Sequence, residues 1–372
     1  MSSKPHLCFV ALTAWPVLSG DRSIKSVGGA EVQMSFLARA FVKAGHRVSM
    51  ICMDYGQPDD VEVDGISVIK AHTPAGGIPV LRFFHPRLTS TWWAMKRANA
   101  DIYYQRACGV HTGFVAAFCK RYQRKFIYAA AHDADFDPEA PLIRYRRDKA
   151  IFRWGLRHAD SVVVQSQTQT DRCRANYGIA TTQIRSCYAP PIGASIGQNG
   201  YVLWVATLRS WKRPELFLEL ARRLPQYQFR MVGGADDATE FEKLSHAAAS
   251  LPNLEFIGFV PHAEIENHFD GARLFVNTSV YEGFPNTFLQ AWARGMPTVS
   301  FVDTSSEIHG QPVGALVKNL EEMVTTVDHF MSNDSIWSET GHRCVACYTT
   351  DHSLEAITLK YEHLFLQLKL GE

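Results

Sequence analysis

Short apolar runs alternate along the chain with stretches whose apolar residues recur every three or four positions. The runs predict strands over 7–12, 48–52, 102–104, 126–130 and 161–164. The periodic stretches predict helices over 30–44, 88–98, 111–121, 141–157 and 167–176. APPIGASIGQNG, at 189–200, has two prolines and three glycines without a period and reads as a linker. A second series follows, with a strand over 201–205 and a helix opened by Pro214 that sets Leu216, Leu220 and Leu224 on one face. Strands over 228–232, 254–257, 274–277 and 298–301 complete it. A last helix over 354–370 carries Ile357, Tyr361, Leu364 and Leu368 near one face. Strand–helix alternation of this kind is the signature of parallel α/β sheets. The expected architecture is therefore two Rossmann-like domains, 1–190 and 200–350, with the terminal helix, about 352–372, packed back on the first. Such a pair, facing each other across a cleft, holds its ligand near the carboxyl ends of the strands.

Composition narrows the class without naming a chemistry. A chain of 372 residues is long enough for two cores, and a formal charge of +1 gives no nucleic-acid footprint. The eight cysteines are scattered through apolar stretches, which reads as reduced packing residues in a cytoplasmic protein. HLCFVALTAWPVL reads as a first buried strand rather than a secretory leader. No segment reaches the ~18 apolar residues of a membrane span. Charge is uneven, however. Residues 82–157 hold 15 Lys/Arg against 6 Asp/Glu, interleaved with Phe83, Phe84, Trp92 and Trp93. That stretch reads either as solvated charge over core aromatics or as a peripheral face for anionic lipid at the inner side of a membrane.

Three stretches carry candidate chemistry. Gly28 and Gly29 lead straight into a helix, where a backbone approaches a ligand closely and the helix N-terminus favours phosphate. Lys212 stands between a strand and the helix begun by Pro214, a suitable place for a cation facing a diphosphate. In YEGFPNTFLQAWARGMPTVSF, Glu282 precedes a turn and a short helix. Asn286 is its expected N-cap and Gly295 its stop. Asn286, Gln290 and Arg294 then share a polar face, with Thr287 beside them, while Phe288, Leu289 and Trp292 are core. An acceptor-only carboxylate such as Glu282 suits sugar hydroxyls. Neither half contains G-x-G-x-x-G or a Walker A sequence.

Two further clusters resemble metal motifs. Asp133, Asp135 and Asp137 open like a calcium loop, but Pro138 takes the glycine position and Arg144 the terminal acid position, so they read as an acceptor-side acid or a loop cap. His342, Cys344, Cys347 and His352 match no common zinc spacing and read as packing. No metal site is expected.

GGAEVQMSFLARAFVKAGHRV, VLWVATLRSWKRPELFLELARRLP and EGFPNTFLQAWARGMPTV together resemble glycosyltransferase family 4, retaining enzymes of GT-B fold. The resemblance covers nearly the whole chain, and the third motif is the most specific. It implies metal-independent transfer of a sugar from a nucleotide-diphosphate sugar, a co-substrate rather than a cofactor, to a carbohydrate, lipid-linked or small-molecule acceptor. It puts Lys212 on the diphosphate, Glu282 and His132 near the donor sugar, and Gly28 and Gly29 in the glycine-rich loop. Phe259 and Val260 are expected to line the base, with Gly233, Phe284, Asn286 and Thr287 completing the donor site. Two departures stand out. The family commonly has Gly-Arg where this chain has Ala206-Thr207, which makes Arg209 the replacement candidate. Its second acid, usually a ribose binder, is Gln290 here. Two alternatives stay open at this point: a nucleotide-sugar epimerase on the same fold, and a non-catalytic nucleotide-sugar-binding partner subunit.

Overall fold

The computed structural model describes residues 4–20, 28–78, 83–140, 142–190, 193, 200–235, 237–282 and 284–370. Two compact units result, one of Met1–Cys187 with Leu354–Glu372 and one of Tyr188–Ser353. Of the linker expected at 189–200, residues 191–192 and 194–199 lie outside the described residues.

The first unit runs β1 (Leu7–Val10), α1 (Trp15–Ser19), α2 (Gly29–Lys43), β2 (Val48–Cys52), β3 (Glu62–Val63), β4 (Ile66–Lys70), α3 (Thr89–Ala98), β5 (Ile102–Arg106), α4 (Val110–Tyr122), β6 (Lys125–Ala129), α5 (Arg146–Arg157), β7 (Ser161–Val164), α6 (Gln167–Tyr177) and β8 (Thr182–Gln183). Its sheet has the order β3-β4-β2-β1-β5-β6-β7-β8, and only the β3–β4 pair is antiparallel among these neighbours. β1, β2 and β5 are buried along their whole length, because helices cover both faces of such a sheet; this is why they read as unbroken apolar runs. The C-terminal helix, Leu354–Leu370, belongs to this unit and buries Ile357, Tyr361, Leu364 and Leu368. Phe41 meets Phe365 at 5.3 Å between ring centres, and the hydroxyls of Tyr104 and Tyr361 lie 3.2 Å apart. Each such side chain contributes about 1.5–3 kcal/mol by leaving water.

Besides the short α1 and β8, which the sequence reading did not include, two features differ. The helix expected over 141–157 begins at Arg146, and Pro141 lies outside the described residues. The β3–β4 hairpin was missed, although Asp64-Gly65, both at positive φ (52° and 78°), is the dipeptide that a tight two-residue hairpin demands.

The second unit runs β9 (Tyr201–Val205), α7 (Pro214–Arg223), β10 (Phe229–Val232), α8 (Ala238–Ala249), β11 (Leu254–Gly258), α9 (His262–Phe269), β12 (Ala272–Asn277), α10 (Asn286–Trp292), β13 (Thr298–Ser300), β14 (Glu307–Ile308), β15 (Gln311–Pro312), β16 (Ala315–Leu316), α11 (Leu320–Ser332) and α12 (Asp334–Asp351). Its parallel sheet has the order β11-β10-β9-β12-β13-β16. α7 buries Phe217, Leu218 and Leu220, whereas Leu216 is only partly covered. Cys344 and Cys347 sit on α12 as buried packing residues. Among the described residues no helix is long and apolar enough to cross a membrane, and no group of three or more His, Cys, Asp or Glu is placed to hold a metal.

Candidate functional site

In the second unit the strand order reverses between β9 and β12. Loops leaving two such strands diverge to opposite faces of the sheet and open a crevice beyond the strand ends. Those two loops carry Lys212 and Glu282. Lys212 ends a single 3-10 turn, Ser210–Lys212, its N–H donating to the Arg209 carbonyl at 2.8 Å. Thr278, just past β12, stitches the loops together. Its hydroxyl donates to the Lys212 carbonyl at 2.6 Å, and its carbonyl accepts from Arg213 Nε at 2.7 Å. The backbone at Lys212 and at the end of β12 is therefore fixed before either charged side chain is considered.

The ammonium of Lys212 pairs with Oε1 of Glu282, and their side chains are 19% and 15% exposed. The same oxygen accepts from Ser279 Oγ at 2.7 Å and Asn277 Nδ2 at 3.4 Å. Asn277 is oriented in turn by the Ser279 N–H, which donates to its Oδ1 at 2.9 Å. An ammonium has three N–H donors and Glu282 takes one of them, so the cation is positioned by the carboxylate without being consumed by it. Beside this pair the rings of Trp211 and Tyr281 lie parallel within 8°, 6.4 Å apart, with the Arg209 guanidinium 5.2 Å from the Trp211 ring. Arg209 itself is exposed.

α10 departs from expectation at both ends of its polar face. Asn286 is the first helical residue, not the cap. Pro285, with its fixed φ of −67°, takes the cap position and has no side-chain acceptor to offer. Gln290 does not look out on solvent but is buried, its amide donating to Glu266 Oε1 of α9 at 2.8 Å. The other Glu266 oxygen accepts from Tyr188 at 2.5 Å and Arg294 at 3.0 Å, and Arg294 also donates to Asp270 at 2.8 Å. The polar face expected to meet the donor thus includes a buried network locking α10 to α9, and a carboxylate does lie at the Gln290 position, supplied by another helix. Burial, and after it the Glu266 charge, hold the Tyr188 phenol well above its usual range. Gly295 ends the turn at φ 74°, as expected of a stop. Thr287 and Phe284 are half-buried; Phe284 packs against Trp292 and His352. Gly283 lies outside the described residues.

The remaining second-unit candidates follow β10 and β11. Gly233 is buried, and a Cβ there would collide with the Ala206 carbonyl, so glycine is required by backbone packing. A Cβ on Gly234 would approach the Phe259 Cβ to 3.0 Å and its ring to 3.2 Å. Phe259 is therefore seated over Gly234 and is 47% exposed, with Val260 half-buried beside it.

In the first unit, Gly28 caps α2 with extended geometry (φ −93°, ψ 153°) and Gly29 begins the helix. The Glu31 carboxylate folds back over Gly28, where a Cβ would strike it, and accepts from Thr13 Oγ1 at 2.5 Å. This helix mouth thus already faces an acid of its own. His132 follows β6 and caps the short turn Asp133–Phe136; its Nδ1 accepts from the Ala134 N–H at 3.0 Å, which leaves the proton of the neutral ring on Nε2. Asp135 is buried and accepts from Ala131 N–H at 2.8 Å and Tyr128 OH at 3.0 Å. Burial raises its pKa. Asp133 and Asp137 are engaged elsewhere, by Gln169 and by the Glu139 N–H, so the three acids do not converge.

Residues 27–188 match Glycosyltransferase Family 4 and residues 188–344 match Glycosyl transferases group 1, so the two patterns abut and together span most of the chain. The chain belongs to glycosyltransferase family 4. The whole chain also superposes on GT-B structures, among them sucrose-phosphate synthase from Thermosynechococcus elongatus, with a TM-score of 0.75 at 18% identity over 99% of this chain and 100% of that one. An uncharacterized glycosyltransferase of Haemophilus influenzae is 24% identical over 170 residues, 43% of this chain and 47% of that protein. Alpha-monoglucosyldiacylglycerol synthase of Acholeplasma laidlawii is 24% identical over 156 residues, 41% and 39% of the two chains. The matched regions span less than half the length of these two curated relatives. The chain has the GT-B fold, with the Lys212–Glu282 pair at the switch point of its second unit. Sequence reasoning missed Asn277, Ser279 and Glu266. The run Asn277-Thr278-Ser279 at the end of an apolar strand was the available signal for the first two; nothing local marks Glu266.

Proposed function

We propose that the protein is a retaining, metal-independent glycosyltransferase that moves a sugar from a nucleotide-diphosphate sugar to a glycan, lipid-linked or small-molecule acceptor. The observation that carries this reading is the Lys212–Glu282 pair, a positioned cation and an oriented acceptor at the strand ends where the second sheet reverses. The Lys212 ammonium takes the diphosphate and gains strength as negative charge develops on the leaving oxygen. Glu282, held by Ser279 and Asn277, accepts from donor-sugar hydroxyls. The Phe259 ring over Gly234 offers a stacking face for the base, with Val260 beside it, and Arg209 supplies a second cation. Gly233, Phe284, Asn286 and Thr287 shape the surrounding loops. Gln290 acts through the position of α10, since its amide is committed to Glu266. The family resemblance assigns Gly28, Gly29 and His132, all of the first unit, to the donor as well, and His132 carries its ring proton on Nε2.

In the step itself the bond from the anomeric carbon to the phosphate oxygen breaks, and the acceptor oxygen bonds to the same face of that carbon. The acceptor hydroxyl proton passes to the departing phosphate. The protein positions the partners and neutralises charge.

The test is turnover of a panel of nucleotide sugars with simple glycan and lipid-linked acceptors, in EDTA, with the product read by proton NMR. The reading expects nucleoside diphosphate release undiminished by EDTA and a product of the same anomeric configuration as the donor. An inverted product, or turnover lost in EDTA and restored by Mg²⁺, would overturn it.

A further inference from the structure

The first unit carries an apolar groove that the transfer chemistry does not use. It lies among the turn Phe84–Leu88, α3, α4 and α5, and encloses about 550 Å³. Phe114 and Ile151 line it where α4 and α5 pack closely: a Cβ on Gly113 would strike Ile151, and a Cβ on Gly155 would come within 2.6 Å of the Gly113 backbone. Phe84, Trp92, Trp93 and Trp154 complete it. Three of these are solvent-exposed, Phe84 and Trp93 at 59% each and Trp154 at 39%. Large rings left in water around one concavity mark a surface that something covers.

Charge decides what covers it. The four elements that build the groove carry ten Lys/Arg: Arg87 on the turn, Lys96 and Arg97 on α3, Lys120 and Arg121 on α4, and Arg146, Arg147, Lys149, Arg153 and Arg157 on α5. They carry one acid, Asp148, already paired with Arg147 at 2.8 Å. Cations also sit on the aromatic faces, Lys96 at 4.8 Å from the Trp93 ring and Arg147 at 3.5 Å from Phe83. Arg97, Lys149 and Arg153 also donate to backbone carbonyls, yet their charge remains. Exposed rings at a concavity, on elements this rich in cations, match the two layers of an anionic bilayer surface, hydrocarbon below and phosphate above. A nucleic acid would satisfy the cations but leave the apolar concavity without a partner.

We propose that this groove is a docking surface for an anionic lipid bilayer, with Phe84, Trp93 and Trp154 entering the boundary between headgroups and acyl chains and the surrounding Lys/Arg contacting phosphate. None of the residues lining this groove is among those assigned to the transfer reaction.

The test uses the full chain and vesicles of phosphatidylcholine alone or with about a third phosphatidylglycerol, read by co-sedimentation and tryptophan emission. The protein partitions onto the anionic vesicles with a blue shift, does so at least about tenfold less onto the neutral ones, and is released near 1 M salt, where the screening length falls to ~3 Å. Phe84→Ser with Trp93→Ser lowers partition at least about tenfold and leaves the melting temperature near wild type, since both side chains are exposed. Lys96→Glu with Arg97→Glu has the same effect by a separate route. No partition onto anionic vesicles at low salt overturns the proposal. So does equal binding to both compositions, unchanged partition of the Ser variant, or concentration-dependent dimerisation that the Ser variant abolishes, which would assign the groove to a second copy of the chain.

Discussion

Removing either partner of the Lys212–Glu282 pair should move stability in the same direction and nucleotide affinity in opposite directions. Both side chains are more than four-fifths buried, so deleting one strands the other's charge. Breaking a fully buried pair costs 3–5 kcal/mol. Here Glu282 keeps Ser279 and Asn277 after Lys212→Ala, which reduces the expected loss to about 1–3 kcal/mol. Glu282→Gln strands Lys212 to a similar degree, and the double variant should recover part of the loss, with a coupling of about 1–3 kcal/mol. Affinity separates the two roles. Lys212→Ala loses a charge-assisted contact of about 1.5–3 kcal/mol to the diphosphate, roughly a 10- to 150-fold rise in Kd. Glu282→Gln removes a carboxylate that competes for the same ammonium, so nucleoside diphosphate binds as tightly or more tightly while transfer falls. Urea denaturation of the four proteins gives the coupling, and calorimetry with the nucleoside diphosphate that binds wild type gives the affinities. Additive losses within about 0.5 kcal/mol, or wild-type affinity in folded Lys212→Ala, would refute the reasoning.

Gln290→Leu should destabilise the second unit by about 1–3 kcal/mol in urea, because a buried amide that donates to Glu266 is lost. Gln290→Glu brings two carboxylates together at hydrogen-bond distance and should be less stable at pH 8 than at pH 5; equal stability at both would show that the Glu266 contact is not maintained. His111, at the start of α4, is held down to about 4, first by burial and then by the charges of His72 and Arg87. Its unfolded ring titrates near 6.5, so between about 6.5 and 4 the unfolded chain binds a proton that the folded chain refuses, and stability falls as pH falls through that window. His111→Asn should flatten that part of the stability profile, measured by denaturation at pH 7, 5.5 and 4.5.

The fold was largely legible because a strand covered on both faces cannot hide its composition: Val48–Cys52, Ser161–Val164 and Tyr201–Val205 match their predicted bounds. Strands of two residues, such as β8 and β16, show no period to read. The pairing of Lys212 with Glu282 was not legible, although each stood out as a candidate. Lys212 and Glu282 are 70 positions apart, and only the reversal of strand order brings their loops together. The environment of Gln290 was hidden for a related reason: a polar residue at helical spacing looks available to a ligand unless its partner is known, and Glu266 sits on a different helix.

The most direct test of the account is a thermal-shift screen of wild type and Lys212→Ala against nucleoside diphosphates and their sugars. A ligand at 100 times its Kd adds about 2.7 kcal/mol, and for a domain of 150–250 residues each kcal/mol raises Tm by about 2–4 °C. The account predicts that at least one nucleoside diphosphate raises the wild-type Tm by roughly 5–10 °C and that Lys212→Ala loses most of this shift at the same concentration. No shift with any nucleotide, or an undiminished shift in Lys212→Ala, would contradict it.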